Sequence, residues 1–172
     1  MIVFESENIE YVHVSEDLID DYLEMVNDFD NVRRYISSDL TKYSHEGEVA
    51  WVKKKLDNKE LCYSMIEKSS KKFIGNIELM NVHDKQAELG ISITGSMQDK
   101  GYGTEAIKRI IRFAFKQLEL EMIYLNVFNK NLRAIRCYEK VGFKYAGEGK
   151  DKDSLKMDVL RKDYLLEKSV EK

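Results

Sequence analysis

The chain has 172 residues, of which 43% are hydrophobic and 34% charged, and its net charge is −3. That length carries one well-filled core and is short for two, and no proline or linker-like stretch interrupts it, so a single domain over residues 1–172 is expected. The near-neutral balance gives no case for nucleic acid, no apolar run reaches the roughly 18 residues of a membrane span, and three histidines and two cysteines without ligand spacing suggest neither a disulfide framework nor a metal site.

Charge is unevenly spread: residues 1–50 carry 13 acids against 3 bases, and residues 51–172 carry 25 bases against 18 acids. A cationic partner for the first segment and an anionic one for the second would explain this; a solvated acidic helix face is the plainer account. Met1 to Glu7 lacks the basic and apolar regions of a secretory signal, so a cytoplasmic location is expected. Cys62 and Cys137 read as buried thiols.

Ile9 to Val14 alternates as a strand, and Ser15 is placed to cap a helix from Asp17 to Phe29 with Leu18, Tyr22, Met25 and Phe29 on one face. Residues 33–43 read as irregular or short helix. A second amphipathic helix, from Gly47 to Leu56, sets Val49, Val52 and Leu56 inward and Lys53 to Lys55 in solvent. Three strands follow in meander order: Leu61 to Glu67, Lys72 to Met80 and Gln86 to Thr94. In the third, Leu89, Ile91 and Ile93 face one way and Glu88, Gly90 and Ser92 the other.

The strongest helix runs from Thr104 to Leu120, with Ile107, Ile110, Ile111, Ala114, Phe115 and Leu118 as its stripe. Met122 to Phe128 is a buried strand. Asn131 caps a helix to Val141 that Gly142 stops, and Tyr145 to Gly147 pairs with Ser154 to Leu160 across a charged turn. The order implies an α/β (α+β) layer architecture: a mixed sheet with helices on both faces.

Two stretches carry the chemistry. Gln98-Asp99-Lys100-Gly101-Tyr102-Gly103-Thr104 opens directly into the strongest helix, so unpaired backbone N–H groups gather at the positive end of a helix dipole. Chain reversal alone would also use such glycines. Gly101 to Ala106 formally fits a dinucleotide fingerprint, but that motif needs the glycines directly after a strand and an acid ending the next one. Here Thr94 to Lys100 intervenes, and the next strand ends Val127-Phe128-Asn129.

The first stretch matches the Q/R-x-x-G-x-G/A acetyl-CoA signature of the GNAT superfamily of N-acetyltransferases. Asn131 to Phe143, with Ala134, Tyr138, Gly142 and Phe143, resembles that family's second signature. The flavour resembles the branch of ribosomal-protein N-terminal and spermidine acetyltransferases. The resemblance implies a mostly antiparallel GNAT sheet with a splayed strand pair for CoA. It further implies acetyl-CoA as cosubstrate, with pantetheine along Ile91, Ser92 and Ile93, the diphosphate on Gln98 to Thr104, and Asn131 as a further contact.

By the same resemblance Tyr138 protonates the departing thiolate; from spacing alone it is a core aromatic beside Ala134 and Val141. Glu88 is either the base that draws the amine proton through water or a solvated strand residue. The acceptor is a small-molecule or peptide amine, with polyamines and basic N-termini suited to the acids of Glu16 to Asp28. The alternative is an acyl-CoA-binding module without turnover. No membrane partner is implied, and a homodimer is left open.

Overall fold

A hairpin of β1 (Ile2–Glu5) and β2 (Ile9–His13) opens the chain in the computed structural model, which describes residues 1–170. β1 was not legible in the sequence because it is short and mostly exposed, so it carries no alternation. The Ser15 hydroxyl accepts the Asp17 N–H as expected, but the turn it starts, Glu16–Leu18, is a 3-10 turn leading into α1 (Ile19–Asn27). α1 ends two residues earlier than the pattern suggests. Asp28 leaves the helical conformation and its carboxylate accepts the Asn31 N–H at 3.1 Å, capping a wide helical turn over Phe29–Arg33. Tyr22 and Met25 are buried as expected, whereas Phe29 is 48% exposed. The short α2 (Arg34–Ile36) follows.

In α3 (His45–Asp57), capped by Ser44, Val52 is buried but Leu56 is exposed. Lys55 is not in solvent. Its ammonium lies 2.7 Å from Glu60 and 2.5 Å from Glu78. Burial disfavours that charge, and the two carboxylates outweigh it, pushing the ammonium up to about 12. The sequence spacing hid this because both partners lie beyond the helix.

By contact density the chain divides into two units, Met1–Leu79 with Gly90–Ala106, and Met80–Leu89 with Ile107–Lys172. In the first, β1, β2, β3 (Leu61–Glu67) and β4 (Phe73–His83) lie side by side, each antiparallel to the next. Val14, Ile19, Tyr22, Met25, Val52 and Phe73 form a core beneath α1 and α3. In the second, the first half of β5 (Gln86–Ile93) pairs in parallel with β6 (Met122–Phe128), and β6, β8 (Ser154–Leu160) and β7 (Lys144–Glu148) continue antiparallel. This is the mixed, mostly antiparallel sheet expected.

α4 (Tyr102–Lys116) buries Ile107, Ile110, Ile111, Ala114 and Phe115. Leu118 falls outside the helix, and Leu120 is the residue buried after it. α5 (Leu132–Val141) runs between its expected cap and stop: the Asn131 side chain accepts the Ala134 N–H, and Gly142 takes φ 116°. α6 (Arg161–Val170) was not anticipated.

In the first unit, one glycine sets how closely β4 approaches the end of β5. A Cβ on Gly75 would sit 2.0 Å from the Ser92 carbonyl oxygen and 2.9 Å from the Ile93 Cα. Both obstacles are backbone and cannot swing away. Gly75→Ala is therefore expected to destabilise the protein by about 2 kcal/mol or more. A urea melt that overlays wild type would show that the strands can part without cost.

Candidate active site

The glycine loop is built as a helix entrance. α4 begins at Tyr102, two residues earlier than expected, so Gly103 and Thr104 belong to its first turn. The first intrahelical bond runs from the Glu105 N–H to the Gly101 carbonyl at 3.1 Å, and the amides of that turn precede it. Gly101 has φ 87°, and nothing lies within 4 Å of where its Cβ would be. The glycine is required by conformation, and the space beside it is open. Gln98 does not point into that space: its amide donates to the carbonyls of Ile93 (2.9 Å) and Asn31 (3.1 Å), tying the loop to the end of β5. Asp99 and Lys100 are exposed, and the Tyr102 hydroxyl donates to Glu67.

Glu105, in that same first turn, carries no distinguishing signal in the sequence. It accepts from the Ser6 hydroxyl at 2.5 Å and from the Asn8 backbone at 2.7 Å. Burial alone would raise its carboxyl, but these bonds outweigh it and hold the group below the usual range. The loop is thus braced from both sides. Ile91, Ser92 and Ile93, the candidate pantetheine contacts, are half-buried at the end of β5.

In the second unit the central feature is Glu88, which is 5% exposed and no solvated strand residue. It sits in β5 opposite Tyr124 of β6. Its Oε1 accepts from the Asn126 amide at 2.9 Å and the Lys150 ammonium at 3.0 Å, and its Oε2 accepts from the Asn81 amide at 2.9 Å. Burial pushes the carboxyl up; Asn126, Lys150 and Asn81 together pull it below the usual range. Such a group is a fixed anion, suited to receiving an N–H or ammonium. Asn126 could have been noticed as a lone polar side chain between Leu125 and Val127 in a buried strand. Lys150 gave no signal within its charged turn.

Tyr138 is 8% exposed on α5, its ring edge-on to Phe143 at 5.8 Å. Burial pushes its phenol far up, so it stays protonated, and its hydroxyl has no hydrogen-bond partner among the described residues. The sequence alternatives meet here: it packs as a core aromatic and still presents an uncommitted donor. Asn131 spends its side-chain oxygen on the α5 cap, leaving its amide N–H groups for other contacts. Cys62 is buried, whereas Cys137 is only half-buried.

The acidic face of α1 borders a cavity of about 240 Å³ in the first unit, lined by Asp21, Glu24, Lys72, Thr94, Ser96 and Met97 among others. Burial raises the Asp21 carboxyl, and the charges of Glu24 and Asp20 raise it further. The acids repel one another, and Lys71 and Lys72 line the same cavity. Among the described residues no group of side chains is arranged to hold a metal, and no helix is long and apolar enough to cross a membrane.

Residues 9–144 match the family model described as an acetyltransferase (GNAT) domain. A spermidine N(1)-acetyltransferase of Vibrio cholerae is 29% identical over 154 residues, covering 84% of this chain and 88% of that protein. The crystal structure of a spermidine N-acetyltransferase from Vibrio cholerae in complex with CoA and spermine superposes with a TM-score of 0.82 at 24% identity, over 93% of this chain and 99% of that one. A GNAT-family acetyltransferase from Bacillus anthracis gives the same score at 20% identity, over 94% and 99%. At such identities the structures speak for the fold.

The ionised state of Glu88 has a consequence for stability. Its folded pKa lies below its unfolded one, so its contribution is complete above about pH 4.3 and fades as pH falls through the folded value. In Glu88→Gln the amide N–H groups meet other donors, at an expected cost of about 1–3 kcal/mol at pH 7. Denaturation measured from pH 7 to 3 should show the gap from wild type narrowing in acid; a gap constant with pH would contradict an ionised Glu88.

Proposed function

The chain belongs to the GNAT acetyltransferase family and is an acetyl-CoA-dependent N-acetyltransferase acting on amines, and from that premise we propose that its acceptor is a polyamine. The observation that carries the proposal is the cluster of mutually repelling acids Asp20, Asp21 and Glu24, of which Asp21 and Glu24 line the cavity at Thr94 to Met97. A polycation gains there what a neutral amine does not. Similarity to a spermidine N(1)-acetyltransferase over 84% of the chain points the same way.

The first unit supplies the parts that suit the cofactor. The opening turn of α4, with Gly101, Tyr102, Gly103 and Thr104, faces its amides away from the helix, and open space beside Gly101 admits a diphosphate to the backbone. Lys100 adds an exposed cation next to it, and Ile91 to Ile93 offer strand backbone for the pantetheine amides. Gln98 and Asp99 shape the loop; in the second unit, Asn131 keeps its amide N–H groups for a cofactor contact. Bound acetyl-CoA supplies a thioester carbonyl, whose C–S bond breaks as the C–N bond to the amine forms. Acetyl-CoA is a cytoplasmic metabolite, and the cytoplasm is the compartment this reading implies.

Two side chains then manage the protons. Glu88, fixed as an anion, orients the acceptor nitrogen and takes up its proton through water. An ammonium has no lone pair, so an acceptor amine of pKa about 10 first gives up one proton to solvent; the neutral amine attacks the carbonyl, and the N–H proton that turns acidic as the C–N bond forms is the one Glu88 takes up through water. Tyr138, neutral and with its hydroxyl uncommitted, donates to the departing thiolate. No residue serves as a covalent carrier in this reading; transfer is direct.

Tyr138→Phe should lower kcat by about 100-fold while changing the KM for acetyl-CoA less than about threefold; an unaltered kcat would remove the role. For the acceptor, Asp21→Asn with Glu24→Gln should raise the KM for spermidine about tenfold at low salt, the effect shrinking at 0.5 M salt. A KM indifferent to both the substitutions and the salt would contradict reading by charge.

A further inference from the structure

The salt bridge that occupies Glu88 is lopsided. The Glu88 side chain is 7% exposed and that of Lys150 is 60% exposed, yet the ammonium reaches to 3.0 Å from Oε1. Lys150 therefore reaches Glu88 from the solvent side, as the exposed Asn81 also does. An amine from outside would travel the same way.

The turn that carries Lys150 is well held, but the side chain is not. The Lys150 backbone N–H donates to Asn126 Oδ1 at 3.0 Å, and the Gly149 N–H donates to the Ser154 carbonyl at 2.9 Å. Asp151 N–H and the Ser154 hydroxyl close the turn at 3.1 Å. Beyond its Cα, lysine is a flexible four-carbon stem ending in three N–H donors and no acceptor. The aminobutyl end of a polyamine is the same chemical object. Asn126 and Asn81 donate from strands β6 and β4, so the Lys150 ammonium, carried on a flexible stem from a turn, is the ligand of Glu88 that can be exchanged without moving a strand.

We infer that Lys150 is a positioning residue that sets amine specificity: in the resting enzyme its ammonium holds the place on Glu88 that the acceptor's cationic nitrogen takes, so amine binding and release of Lys150 are one exchange. This rests on the reading that Glu88 faces the acceptor. The arrangement keeps a buried carboxylate compensated between turnovers, and it discriminates. A neutral group cannot displace the ammonium, whereas an alkylammonium replaces like with like. The competition also lowers the apparent affinity for the acceptor by the fraction of enzyme in which Lys150 has already left.

Steady-state kinetics on the full chain test the exchange, using spermidine, or the best acceptor from an amine panel should spermidine fail. Lys150→Met keeps the stem and removes the competitor, and should lower the amine KM about fivefold with the acetyl-CoA KM unmoved. Lys150→Arg grips the carboxylate with two N–H groups and should raise the amine KM. The opposite directions are the signature. Should the methionine variant fold poorly, the arginine variant still decides, because it keeps the charge. An amine KM that is unchanged or raised in Lys150→Met, or unchanged in Lys150→Arg, overturns the inference. Wild-type turnover of another amine but not spermidine would overturn the polyamine proposal while leaving the exchange to be judged on that amine.

Discussion

A carboxylate withdrawn from water and yet ionised has to be compensated inside the protein, and at Glu88 the compensation comes from three separate pieces of chain. Asn81 reaches it from the end of β4, Asn126 from β6 and Lys150 from the turn before β8. Asn126 is the link, since its amide donates to Glu88 and its oxygen accepts the Lys150 backbone. The parallel pairing of β5 with β6, the placement of the turn and the charge of the site are therefore conditions on one another. Losing any donor leaves a buried negative charge short of partners, which costs more than the lost hydrogen bond itself.

The first unit poses a different electrostatic problem, an excess of acid that is only partly neutralised. Lys55 gathers Glu60 and Glu78, and Lys71 takes Glu10 at 2.7 Å, whereas Asp20, Asp21 and Glu24 repel one another on α1. Leaving such acids together lowers stability slightly, and attraction of a polycation is the gain that would offset it. Neutral cradles behave otherwise. The entrance to α4 needs no charge of its own beyond Lys100, because its backbone N–H groups and the helix dipole already favour an anion.

Most of the fold could be read from the sequence where local signals agreed. Asn131 and Gly142 bracket α5 because cap and stop are local chemistry, and β3, β6 and β8 lie where alternation or burial of a full apolar run placed them. Misreadings came where a distant partner decided. Lys55 looked solvated until Glu60 and Glu78 were brought to it, and Phe29 looked internal until Asp28 broke the helix ahead of it. Of the candidate site, Tyr138, Glu88 and the glycine loop are legible in the sequence. The setting of Glu88 is not, since Lys150 is 62 residues away in a turn with no pattern of its own.

A polyamine acceptor is the claim on which the electrostatic reading converges, and release of CoA thiol across matched amines tests it most directly. Wild-type protein with acetyl-CoA would be given spermidine, spermine, a monoamine of similar length and a basic N-terminal peptide, at one pH and low salt. The account predicts kcat/KM for the polyamines at least about tenfold above the monoamine, a gap worth roughly 1.4 kcal/mol in the transition state. A monoamine turned over as well as spermidine would contradict it.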